Sequence, residues 1–161
     1  MNLKLVLPFI LSGFFVGCAS VPKADMKQTQ TVKQFVPPSD GKVIIYVYRS
    51  NSTIGATLKK DIWLDGKCLG ETSRGTFFYK EVDGNQKHTV STESEFSPNH
   101  LVIDTVSGQQ YFVQQSIKMG VFVGGADLKQ VDELKGKKAI SEYALAQSGT
   151  CSKPEITLTQ P

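Results

Sequence analysis

The sequence predicts a small, mainly all-β fold: a compact antiparallel β-sandwich or open barrel carrying one C-terminal helix. Three observations carry that prediction. From Gly41 onward the chain reads as short β-branched and aromatic runs, with turn residues roughly every eight to twelve positions. Asp65-Gly66 lies between two such runs, and this dipeptide favours a two-residue hairpin because both central positions take positive φ. No strand–helix–strand alternation is present, which excludes a doubly wound parallel sheet.

Taken in order, Lys42-Val43-Ile44-Ile45-Tyr46-Val47-Tyr48 is apolar at successive positions, as expected of a strand covered on both faces. Residues 58–64 and 67–70 flank Asp65-Gly66. Residues 76–82 and 88–92 flank Asp83-Gly84-Asn85-Gln86, and residues 101–106 and 110–117 flank Ser107-Gly108-Gln109. Met119-Gly120-Val121-Phe122-Val123 reads as a further strand ending at Gly124-Gly125, where a bulge or tight turn is expected rather than a phosphate-binding loop. Residues 137–146 are expected to be helical, with Ile140, Tyr143, Ala144 and Leu145 mostly on one side. In the tail, Ile156-Thr157-Leu158-Thr159 is either an edge strand or loose.

The 161 residues suit one domain with appendages, and 40% hydrophobic against 20% charged residues exclude wholesale disorder. Eighteen basic and fifteen acidic side chains leave only +3, and Arg49 and Arg74 are the two arginines, so no nucleic-acid partner is expected. The organisation read from the sequence is a signal segment at 1–17, a lipidated N-terminus and flexible tether at 18–40, a β-sandwich domain at 41–146 and a polar tail at 147–161. Within the tether, a short helix in 27–36 is the alternative, and Phe35 and Val36 are candidates to dock.

The signal reading rests on layout. Lys4 precedes the apolar run from Leu5 to Val16. That run would span about 18 Å as a helix, short of the ~30 Å bilayer core. Phe15-Val16-Gly17-Cys18 then resembles the bacterial lipobox, with Phe15 where Leu is usual. The resemblance implies diacylglycerol on Cys18, cleavage before it and acylation of the new amine. Because Ala19 and Ser20 follow, not an aspartate, it also implies the outer membrane, with the domain facing the periplasm or the cell surface.

The chemistry-bearing residues are few. No Gly-x-Ser-x-Gly, His-Glu-x-x-His, P-loop or Gly-x-Gly-x-x-Gly motif occurs in the sequence. Cys68, His88 and His100, with Asp104 as an orienting carboxylate, are the candidates for a thiol–imidazole site. Two histidines without a third ligand at motif spacing give no metal site, and no cofactor is implied. Cys68 and Cys151, exported together, either form a disulfide or stay as a buried thiol and a free one; spacing alone leaves both open. Aromatics such as Tyr46, Tyr48, Trp63, Phe77, Phe78, Tyr79 and Phe122 are core or partner-facing, and alternation sets Phe77 and Tyr79 opposite Phe78. Lys135, Lys137 and Lys138 read as a solvated face before a site for anionic lipid or glycan.

A wider resemblance runs through Tyr46-Val47-Tyr48-Arg49, Leu64-Asp65-Gly66, Gly70, Gly108-Gln109-Gln110-Tyr111-Phe112-Val113 and Gly136-Lys137-Lys138-Ala139-Ile140. In that order these residues resemble the bacterial domain-of-unknown-function 2846 family of small lipoproteins, over roughly residues 41–146. Asp83-Gly84 stands where that pattern would have Pro-Gly. The family implies a β-rich envelope module and brings no agreed activity or catalytic residue; a likeness to PEGA sandwiches is analogy only. The expectation is therefore a membrane-anchored envelope lipoprotein, not an enzyme, whose β domain binds a protein or cell-wall partner or plays a structural part. The rivals are a small Cys/His-dependent enzyme and a carrier of an apolar ligand.

Overall fold

The computed structural model describes residues 19–158; residues 1–17, where a signal segment is expected, Cys18 and residues 159–161 lie outside the described residues. In chain order the elements are α1 (Met26–Val32), β1 (Lys42–Arg49), β2 (Lys60–Leu64), β3 (Lys67–Thr72), β4 (Thr76–Asp83), β5 (Lys87–Thr92), β6 (Asn99–Asp104), β7 (Gln110–Lys118), β8 (Gly125–Val131), α2 (Glu133–Glu142) and β9 (Ala144–Leu145). They form a five-stranded sheet, ordered β8-β7-β1-β4-β9, and a four-stranded sheet, ordered β3-β2-β5-β6. Among the described residues the fold is mainly all-β, an open sandwich without a closed barrel.

The sheets are not purely antiparallel as expected. β7 runs parallel to β1, and β9 parallel to β4. The reason is the route of the chain. After β4 it crosses to the second sheet for β5 and β6, then returns through Ser107-Gly108-Gln109 beside the start of β1. Gly84 N donates to Gly41 O and Gly108 N to Lys42 O, each at 2.8 Å, so both crossings are fastened at one end of the sandwich. The Asp65-Gly66 turn does close a hairpin, with φ of 52° and 80°, and β2 pairs with β3 across it.

β1 explains the layering. Val43, Ile45 and Val47 join Phe78, Val113, Ile62, Val90 and Ile103 between the two sheets. Ile44, Tyr46 and Tyr48 face the other way, into a second cluster with Phe77, Phe112, Val32 and Ile140. Both halves of the Phe77/Phe78 alternation are therefore buried, because helices cover the outer face of the five-stranded sheet. At Gly136 a Cβ would lie 2.3 Å from Phe112 Cγ, so glycine is what lets α2 lie against β7. The helix starts at Glu133 rather than Lys137, since Asp132 caps it by accepting from Lys135 N at 2.8 Å. It ends at Glu142 because Ala144 and Leu145 leave to pair with Thr76 and Phe77 of β4.

Two appendages belong to the fold. Instead of a flexible tether from 18 to 40, the chain docks from Val21, which is buried among Leu69, Ala146 and the inter-sheet core. Lys23 bridges Ala146, Ala24 N donates to Leu145 O, and Gln147 N donates to Pro22 O, so residues 22–24 add a short edge beyond β9. Helix α1 and Phe35 then pack over Tyr46 and Phe112, while Val36 is exposed. At the other end the polar tail from 147 crosses the outer face of the four-stranded sheet. Glu155 bridges Lys67, and Ile156 N donates to Gly66 O, a shorter edge pairing than a full strand.

Candidate functional site

The residues singled out for thiol–imidazole chemistry do not meet. Cys68 is joined to Cys151, their Cα atoms 5.9 Å apart. The joined tail buries two groups of β2: Trp63 Nε1 donates to Lys153 O at 2.9 Å, and Ser152 N donates to an oxygen of Asp61 at 2.7 Å. A thiol in this state has no lone nucleophilic form. β2 lies between β3, which carries Cys68, and β5, which carries His88.

His88 closes one end of the inter-sheet core. Its Nδ1 lies 2.6 Å from Asp65 Oδ2 and its Nε2 lies 2.7 Å from Asp83 O, so one buried ring ties the β2–β3 turn to the end of β4. His100 pairs instead with Ser91, Nδ1 to Oγ at 2.7 Å. Ser91 has no exposed surface, which removes a serine–histidine nucleophile at this position. Asp104 pairs in register with Lys87, four residues along β6 from His100. Among the described residues no cluster of three or more His, Cys, Asp or Glu side chains is arranged to hold a metal.

The opposite end of the sandwich holds a buried polar set that sequence reasoning missed. Gln115 Nε2 donates to Thr92 Oγ1 at 2.6 Å, and its Oε1 pairs with Thr72 Oγ1. Arg49, the Cα partner of Gln115 and only 1% exposed, donates from Nη2 to Gly55 O at 2.9 Å, while Nη1 has no partner among the described residues. Burial pushes the Arg49 guanidinium down to about 10. The odd-numbered parity of β1, which runs Val43, Ile45, Val47, Arg49 into the core, was the available signal.

The exposed candidates form one unusual feature. Met119-Gly120-Val121-Phe122-Val123 is not a strand but an exposed loop between β7 and β8. Met119, Val121 and Phe122 are 84%, 79% and 82% exposed, and Phe96 in the β5–β6 connection is 80% exposed. The loop is fixed from beneath by Glu95, whose carboxylate accepts from Val121 N at 2.8 Å, Phe122 N, and Val123 N at 3.3 Å. The Phe122 amide first, with those of Val121 and Val123, holds the Glu95 carboxyl below the usual glutamate range. Large apolar side chains grouped in water mark contact surfaces, and here they are presented on a tied backbone.

The lysine cluster divides. Lys137 pairs with Glu133 at 2.5 Å and lies 5.1 Å from the centre of the Phe35 ring. Lys135 and Lys138 instead border a shallow cleft of about 280 Å³ with Tyr48, Gln114 and Tyr143.

Residues 39–126 match the model of a family described as a protein of unknown function (DUF2846). The chain belongs to that family. An uncharacterized protein of Haemophilus influenzae (strain ATCC 51907 / DSM 11121 / KW20 / Rd) is 44% identical over 163 residues, which cover 91% of this chain and 96% of that protein. The DUF2846 match takes in β1 to β7 and the start of β8, so it includes Arg49, Glu95 and the Met119–Val123 loop. It stops short of α2 and Cys151, nearer the front than the 41–146 span read from the sequence. Neither description names an activity.

Proposed function

We propose that this DUF2846 protein is a membrane-anchored envelope lipoprotein, held by acyl chains on Cys18, whose β-sandwich is a non-enzymatic module that binds an apolar surface of a protein partner. The observation that carries the binding part is the loop pair of Phe96 and Met119–Val123. These side chains stand in water on a backbone that Glu95 has already ordered, so little conformational entropy is left to lose on association. Aromatic anchors of this kind supply most of the energy at protein contacts. The anchor part rests on the lipobox-like Phe15-Val16-Gly17-Cys18 and the basic start with its apolar run.

The test is site-specific photo-crosslinking in intact cells, with the crosslinking residue at Phe122 in one strain and at Ser107, at the other end of the sandwich, in a second. The proposal predicts one discrete adduct from position 122, lost on Glu95→Ala, and none from position 107. Equal adducts from both positions, or none from position 122, overturn it.

A further inference from the structure

The way the N-terminal segment docks fixes more than the fold. Val21 is 6% exposed within the inter-sheet core, and Pro22, Lys23 and Ala24 are hydrogen-bonded or bridged to the segment 145–147. Only Ala19 and Ser20 separate this docked edge from Cys18. Three residue steps span at most about 10 Å even when fully extended. A lipidated Cys18 therefore has no tether of the length that residues 18–40 offered on sequence grounds.

Strand order sets the opposite side. Residues 22–24 lie beyond β9, and β8 is at the far edge of the same sheet. Five strand spacings at about 4.8 Å put roughly 24 Å between them. The Met119–Val123 loop leads into β8 and so belongs to that far edge.

Resting on the anchoring proposed above, we infer that the acylated protein sits flush on the bilayer in one orientation. The edge made by residues 22–24, β9 and Ser148 meets the lipid headgroups, and the apolar loop is turned away from the membrane towards the aqueous space. The domain then presents its contact loop at a fixed height instead of searching on a leash. Exposed Lys23 and Lys27 on the membrane-facing segment suit anionic headgroups.

The experiment uses the mature lipidated protein, its acylation checked by mass, in vesicles of phosphatidylethanolamine and phosphatidylglycerol doped with a nickel-chelating lipid. A fluorophore is attached through Ser148→Cys in one sample and Val121→Cys in another, and quenching by the headgroup nickel is compared. The inference predicts several-fold stronger quenching at position 148 than at 121. A twelve-residue Gly-Ser insertion between Ser20 and Val21 should bring the two towards equality. Equal quenching in the parent protein, or stronger quenching at 121, overturns the orientation while leaving the anchor standing. A purified protein without acyl chains on Cys18 overturns the anchor and the orientation together.

Discussion

Cys68 and Cys151 fasten the C-terminal segment across the outer face of the four-stranded sheet, closing a loop of 83 residues with their Cα atoms 5.9 Å apart. The tail they hold supplies the acceptor for Trp63 Nε1 and the donors for buried Asp61. In the chain-entropy picture a loop of that length stabilises by about 4.5 kcal/mol. Reduction, or Cys151→Ser, is expected to lower unfolding stability by roughly 2–4 kcal/mol. Trp63 emission should move to the red in the native baseline as Lys153 lifts away. A blue-shifted Trp63 and unchanged stability after full reduction would show that the tail is held by its hydrogen bonds alone.

Glu95 is expected to control the order of the apolar loop through pH. Its carboxyl is held below its ordinary value of 4.5, so the stabilisation it gives the loop is present above that value and is lost as pH falls through the lower, native one. The amide resonances of Val121, Phe122 and Val123 should titrate together with a midpoint below that of a free glutamate. Glu95→Gln should shift the same three amides at neutral pH while leaving those of β1 and β4 in place. Independent titration of the three would break the account of the loop.

Gly136→Ala is expected to destabilise despite the better helix propensity of alanine. The added methyl would meet Phe112 at 2.3 Å, and overpacking of this kind costs about 1–3 kcal/mol against a propensity gain of up to about 1. A net loss of about 1–2 kcal/mol in urea unfolding is predicted, with restoration by Phe112→Leu in the double variant. An unchanged midpoint would mean that α2 does not lean on β7.

Alkaline stability should be set by Tyr46 and Tyr48. Burial first, then the neighbouring Tyr79 for Tyr46 and Tyr143 and Asp132 for Tyr48, pushes both phenols up from 10.0 to about 12. The unfolded chain releases these protons near 10 and the folded chain near 12, so stability is whole below the first value and lost through the second. Each contributes on the order of 2–3 kcal/mol over that interval. Arg49, pushed down to about 10, works the other way, but as one group against two. Unfolding with cooperative phenolate release is predicted in that window, blunted in Tyr46→Phe. Gradual ionisation of both tyrosines from pH 10 without unfolding would contradict the burial.

Much of the sandwich was legible because local pattern and tertiary burial agree. The unbroken apolar run of β1 needs cover on both faces, and Asp65-Gly66 allows few turns but a hairpin. The rest depends on contacts that leave no period. The N-terminal segment docks through Val21, Thr29 and Val32, and three buried side chains scattered among polar ones at no steady period read as a linker. Val121, Phe122 and Val123 read as a strand, but Glu95, distant in sequence, takes their amides instead. The real strand, β8, is Gly-Ala-Asp-Leu-Lys-Gln-Val, an edge strand whose exposed side is polar. Arg49 and Gln115 were visible as residues, yet their burial at the end of the core follows from which strands become neighbours.

The central claim is that Cys18 carries the membrane anchor of this DUF2846 protein, and labelled palmitate tests it most directly. Cells expressing the parent chain and Cys18→Ser would be grown with the label, and the purified proteins and membrane fractions compared. The account predicts label and outer-membrane retention for the parent, with both lost in Cys18→Ser. Label or retention that persists in Cys18→Ser, or a parent chain that takes up none, would contradict it.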